Sequence, residues 1–178
     1  ALPSVSLAKT IPTVIDTSIG VNTDVYLGST GLALLQMDTA SYDPLKDSVF
    51  ISQSEFSCID IGPSIKVYFV ISDTTVTPIN TWYSDSSNIN VHDTLHPILK
   101  MTSTYTLYLG NDGADTIQFS QLDRGSWDSC GIDFNSISYK PKTIFSCLDT
   151  GKHLIWTIVP DIHNNKDSFQ SIIKVVDT

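Results

Sequence analysis

The chain spells Phe56-Ser57-Cys58-Ile59-Asp60-Ile61-Gly62 and, 89 residues later, Phe145-Ser146-Cys147-Leu148-Asp149-Thr150-Gly151. Only three cysteines occur in the 178 residues, so a match at five of seven letters that includes one points to internal duplication. Three further matches keep the same order. Val25–Met37 (VYLGSTGLALLQM) lies over Leu107–Phe119 (LYLGNDGADTIQF) at an offset of 82. Ser64–Val70 (SIKVYFV) lies over His153–Val159 (HLIWTIV) at 89, and the INVHDT that ends at Thr94 lies over the IKVVDT that ends at Thr178, at 84. Two homologous halves follow, 1–94 and 95–178. The second carries about seven extra residues before Phe145 (89 − 82) and loses about five near its end (89 − 84).

Each half reads as strands. Apolar residues alternate over Val49 to Ile61, and Ile65 to Ile71 is a β-branched and aromatic run of the kind found in a strand covered on both faces. The glycines of LGSTG and LGNDG suggest hairpin turns, and prolines punctuate the runs. Sustained 3.6-residue periodicity is absent; short helical turns are expected near Ala40 to Lys46 and Asn164 to Gln170. The expected fold is all-β, two homologous β-sandwich halves in tandem. One intertwined sandwich or double jelly roll with pseudo-two-fold symmetry is the alternative. In this reading the Phe, the Cys and the Ile or Leu after it fill equivalent core slots. Cys58 and Cys147 are then buried and reduced, Cys130 is the accessible thiol, and Gly62 and Gly151 turn the chain.

Charge narrows the partners. Net charge is −9, from ten basic and nineteen acidic side chains, and Arg124 is the only arginine. Nucleic acid and anionic membranes require clustered cations, which are missing. No apolar run reaches the length of a membrane span, so membrane insertion is not expected. Glu55 is the single glutamate; so strong a preference for Asp suits strands and turns.

Catalytic signatures are missing: no nucleophile elbow, phosphate loop or His-Glu-x-x-His motif occurs. His92 and His96 are four apart but followed by Pro97. Asn111, Asp112 and Asp115 lack the spacing of a calcium loop. No catalytic residue, metal or cofactor is expected.

Residues found in one copy only are released from the duty of holding the fold. The unmatched segment of the second copy runs from Asp123 to Lys142 and contains Arg124, Trp127, Cys130 and Tyr139. Aromatic rings beside an arginine suit contact hot spots and sugar platforms. Trp127, Arg124 and Tyr139, with Trp82 and Tyr83 in the first copy, are the candidate binding residues. The expected function is non-enzymatic: a structural or interaction protein of a virion or extracellular surface (coat, spike or tail-type component). It would act through a protein partner or self-assembly. A carbohydrate-binding lectin or adhesin, with a glycan as ligand, is the first alternative. A secreted partner-binding or inhibitor module is the second.

Overall fold

The computed structural model describes residues 13–16, 22–37, 45–75 and 80–177, with backbone only for 13–16, 37, 73 and 80–85. The chain is nearly all β and divides into two compact units, Ala1–Thr94 and Leu95–Thr178.

The first unit has a four-stranded sheet of β2 (Asn22–Tyr26), β7 (Asn80–His92), β6 (Ile65–Asp73) and β4 (Asp47–Ile51), in that order. Its second sheet orders β1 (Thr13–Asp16), β3 (Leu32–Met37) and β5 (Glu55–Ser57). The second unit repeats this plan. Its four-stranded sheet orders β8 (Thr104–Tyr108), β13 (Lys166–Val176), β12 (Gly151–Pro160) and β10 (Ser138–Lys140). Its second sheet pairs β9 (Ala114–Thr116) with β11 (Ile144–Ser146). Among the described strands, every ladder stays within its own half, as two tandem sandwiches require.

Register makes the duplication quantitative. Val25 pairs with Val91 on parallel strands, and Leu107 (25 + 82) pairs with Val175 (91 + 84). Ala33 pairs with Phe56, and Asp115 (33 + 82) pairs with Phe145 (56 + 89). Tyr26 and Tyr108 close equivalent strands, both exposed.

One segment departs from the sequence alignment. Val67 pairs with Ser87, and their structural equivalents are Ile155 and Ser171, so β12 follows β6 at 88 and not 89 (155 − 67 = 88; 171 − 87 = 84). At 89, buried Val67 would fall on Trp156, which is 44% exposed. Side chains alternate across a strand, so a slip of one residue exchanges the two faces. The expectation that Ile65–Ile71 is covered on both faces also fails. Val67, Phe69 and Ile71 are buried, whereas Lys66 and Tyr68 are exposed.

The repeated heptad has a different job from the one expected. Phe56 and Phe145 are core residues. Cys58 and Cys147 instead open 3₁₀ turns, Cys58–Asp60 and Cys147–Asp149, and Ile59 and Leu148 are 92% and 97% exposed. The Ser and Asp carry the motif. Ser57 N–H donates to Asp60 Oδ2 at 2.8 Å and Ser57 Oγ lies 3.2 Å from the same oxygen. Ser146 and Asp149 repeat both contacts at 2.9 and 3.0 Å. Spaced three apart, each pair ties the end of a strand to the turn that follows, in the manner of a capping box. The other carboxylate oxygen is also held equivalently, by Gln53 in the first unit and by Lys142 (53 + 89) in the second. Each cysteine sulfur faces the carbonyl of the matching turn glycine, Gly31 or Gly113 (31 + 82), at 3.8 and 3.4 Å. Both glycines need positive φ, 71° and 70°, and a Cβ on Gly113 would sit 2.7 Å from Cys147 Sγ.

Those glycines do not make hairpins. Gly31 N–H donates to Gly28 O, and Gly113 N–H to Gly110 O, in turns that carry the chain from one sheet to the other. The helical turn expected near Asn164 to Gln170 is a hairpin loop followed by β13, with Asn164 at φ 69°. Its counterpart at Ala40 to Lys46 falls mostly outside the described residues.

Asp149 links this turn to pH. The hydrogen bond from Lys142, aided by the Ser146 N–H, holds its carboxyl down at about 2. A depressed carboxyl stabilises the fold above the ordinary range near about 3.9 and stops doing so as pH falls through the folded value. Melting temperature against pH should therefore drop between about pH 4 and 2, and Asp149→Asn should flatten part of that limb. An unchanged limb in the variant would remove Asp149 from the acid response.

Candidate interaction surfaces

In the second unit, the Asp123–Lys142 segment is a run of turns, each capped by its own aspartate. Asp123 Oδ1 accepts from Ser126 N–H at 2.9 Å; Asp128 Oδ1 accepts from Cys130 and Gly131 N–H at 2.8 and 3.0 Å; Asp133 Oδ1 accepts from Asn135 N–H at 3.0 Å. Hydrogen bonds to the ionised form lower the Asp133 carboxyl, that from Ser136 foremost. Trp127 and Ile98 exchange backbone hydrogen bonds at 2.8 and 3.1 Å, and Arg124 N–H donates to Lys100 O at 2.7 Å, which pins the segment to the strand-like stretch before β8.

The candidate residues separate. Trp127 is half-buried beside Ile98, which is 48% exposed. Arg124 is exposed, its Nη1 donating to Gln121 O and Asp123 O at 3.2 and 2.7 Å. Tyr139 lies on β10 and packs against the core of Leu107, Phe145, Ile155 and Ile173; burial pushes its phenol up. The backbone of Trp82 and Tyr83 belongs to β7, and their side chains lie outside the described set. Sequence reasoning missed Phe134, which is 65% exposed and meets Phe119 edge-on at 5.8 Å.

Of the cysteine expectations, only the reduced state of Cys147 holds. Cys58 is disulfide-bonded and half-buried in the first unit. In the second unit Cys130 is disulfide-bonded, and Cys147 is the free, exposed thiol. The reason is local: the cysteine follows the strand and so leaves the alternation that buries Phe145.

Potential ligating groups are occupied by turns. Asp161 is buried and accepts from His163 N–H and Asn165 N–H, both at 2.8 Å, and from Asn165 Nδ2 at 2.7 Å. Its carboxylate lies within 4.8 Å of that of Asp128. His92 pairs with Asp24 at 3.0 Å and stacks on Tyr26. Asp112 and Asp115 accept from Ala114 and Thr116 N–H, within their own turn and strand.

The outer faces of the two four-stranded sheets differ in chemistry. In the first unit, Asn88 donates to Asn22 at 3.2 Å, Asn90 donates to Asp24 at 3.1 Å, and Ser64 bonds Asn90. In the second, Lys152 stands directly opposite Lys174, which pairs with Thr106. The next row is Leu154, Ile172 and Thr104, and beyond it Lys140, Trp156 and Gln170. A shallow cavity of about 220 Å³ is lined by Thr104, Tyr105, Thr106, Lys152, Ile172 and Lys174.

No family model and no curated protein matches the chain. Solved structures do. A chain holding extracellular cadherin domains 1–4 of protocadherin gamma B7 is 13% identical, with a TM-score of 0.34. That alignment covers 94% of this chain and 51% of the other, so this chain spans about half the length of that one. Domains EC1-2 of human mucin-like protocadherin give 10% identity and a TM-score of 0.35 over 90% and 98% of the two chains. Fibronectin(III)-like modules of CbhA from Clostridium thermocellum give 12% and 0.31 over 74% and 78%. Among the described residues, no helix is long and apolar enough to cross a membrane.

Proposed function

We propose that the chain is a non-enzymatic contact module of a virion or extracellular surface, and that the run of turns before β10, which has no counterpart in the first unit, makes the contact. The supporting observation is the combination of rigidity and display in Asp123–Lys142. Three aspartates fix its turns, and two backbone bonds fix Trp127. A pre-ordered loop loses little entropy when it docks. Arg124 is exposed and its described side-chain bonds use one nitrogen, which leaves the rest of its planar fork for a carboxylate or carbonyl. Tyr139 serves the core, so Arg124 and Trp127 with Ile98 form the proposed anchor. The partner is a protein, either a second copy or another surface component.

Trp127→Ala is expected to weaken self-association, or retention on the native particle or cell surface, by about 2 kcal/mol, with melting within about 2 °C of the parent. Sedimentation velocity and a surface-retention assay read the first quantity, and thermal unfolding the second. A large drop in melting temperature with unchanged association would return Trp127 to a purely structural role. The glycan-binding alternative has its own observation, on other residues of the same unit.

A further inference from the structure

The geometry points to an acidic oligosaccharide, carrying sulfate or carboxylate, as the ligand of the outer face of the β8–β13–β12–β10 sheet. It rests on residues other than Trp127, Arg124 and Ile98 and stands or falls independently of them.

The first unit shows what the fold itself requires at these positions. Its row Ser64, Asn90, Asp24 is equivalent to Lys152, Lys174, Thr106 (64 + 88, 90 + 84, 24 + 82). There the strands are joined by side-chain hydrogen bonds, with one acid and no base. In the second unit the same row carries two lysines on adjacent strands. Like charges directly opposite each other destabilise a sheet. Neither lysine has an acidic partner within ion-pair distance among the described residues. The sandwich stands without them, as the first unit demonstrates, so their presence calls for a separate reason. In a chain of net charge −9, the outward positions of β10, β12, β13 and β8 hold Lys140, Lys152, Lys166 and Lys174 and no acid.

The rest of the face selects the ligand class. Two lysines line the cavity of about 220 Å³, which is smaller than ordinary ligand pockets (roughly 300 Å³ upwards) and suits an anionic substituent more than a whole ligand. Thr104 and Thr106 add hydroxyls beside it. Leu154 and Ile172, 55% and 38% exposed, floor the path from the cavity to Trp156. Lys152 and Trp156 are four residues apart, about 13 Å along a strand. An occupant that engages both is therefore extended. Its polar edge meets Lys140 and Gln170, which flank Trp156 in register, and its C–H face meets the indole. A sulfated or uronate-containing oligosaccharide has this alternation of anion and apolar ring face. An aspartate-rich peptide supplies the anion without a ring for Trp156.

The test titrates the full chain with a sulfated hexasaccharide, a uronate hexasaccharide, a neutral hexasaccharide of the same length and an aspartate-rich hexapeptide. Saturable binding is expected for at least one of the two acidic sugars, weakening as salt rises from about 50 to 500 mM, with no binding of the neutral sugar. K152S/K174N installs the first unit's own residues, so the sheet should tolerate it with an equal or higher melting temperature. It should lower affinity at least tenfold, W156A should lower it at least fivefold, and Lys66→Ser in the first unit should leave it unchanged. The proposal is overturned if neither acidic sugar saturates by about 5 mM, or if K152S/K174N leaves binding intact. It is equally overturned if the peptide binds as tightly as the sugars with no dependence on Trp156, or if the only response is self-association of the chain.

Discussion

Ile155→Asp is expected to unfold the second unit, while Leu154→Asp, one residue earlier, leaves it folded. Ile155 is 1% exposed and packs with Leu107, Phe145, Ile173 and Val175. A carboxylate there loses its hydration with no cation or donor to replace it, and the isoleucine's burial is lost as well. The two effects together cost more than about 4 kcal/mol. Leu154 is 55% exposed and faces outward, so a carboxylate there stays hydrated and should cost less than about 1 kcal/mol. Urea denaturation of the two variants measures the difference. The opposite ranking would mean that β12 follows β6 at 89, with Trp156 inside.

That one-residue question marks the limit of what the sequence made legible. Fold class and duplication were readable because rare letters recur in order: Cys, the Tyr-Leu-Gly run, and Phe-Ser-Cys with a Gly behind it. Register in β12 was not, because Ile155, Trp156, Ile158 and Val159 place apolar side chains on both faces. Alternation then carries no phase. The phase lies in Lys66 of the first copy, exposed between half-buried Ile65 and buried Val67, and in the spacing between Gly62 and Ile65, one residue longer than its counterpart after Gly151. The cysteines misled for a related reason. Rarity drew the eye to Cys58 and Cys147, but the Ser-x-x-Asp spacing was the informative pattern, and it was in plain view. The lysine face emerges only once register is known, since Lys140, Lys152, Lys166 and Lys174 are scattered in sequence and share a surface through pairing alone.

Phe145→Ala should be the most damaging truncation within the repeated heptad. Phe145 is fully buried, its ring lies 5.4 Å from that of His153, and the Lys142 ammonium sits 5.1 Å from its centroid. Removing a buried phenyl group costs about 3–5 kcal/mol, transfer and cavity together. For a unit of this size that lowers the melting temperature by roughly 15 °C or more. Phe56→Ala, at the equivalent and equally buried position, should cost the first unit a similar amount. Cys147→Ala should cost less than about 1 kcal/mol, because the thiol is exposed and its only described bond is a long one to Gly113 O at 3.4 Å. Thermal unfolding of the three variants ranks the letters of the motif directly. If Cys147→Ala proves as damaging as Phe145→Ala, the heptad was kept for its thiol. If the expected order holds, it was kept because one ring locks the two sheets together and one aspartate, three residues after a serine, ends the strand where the sandwich must turn.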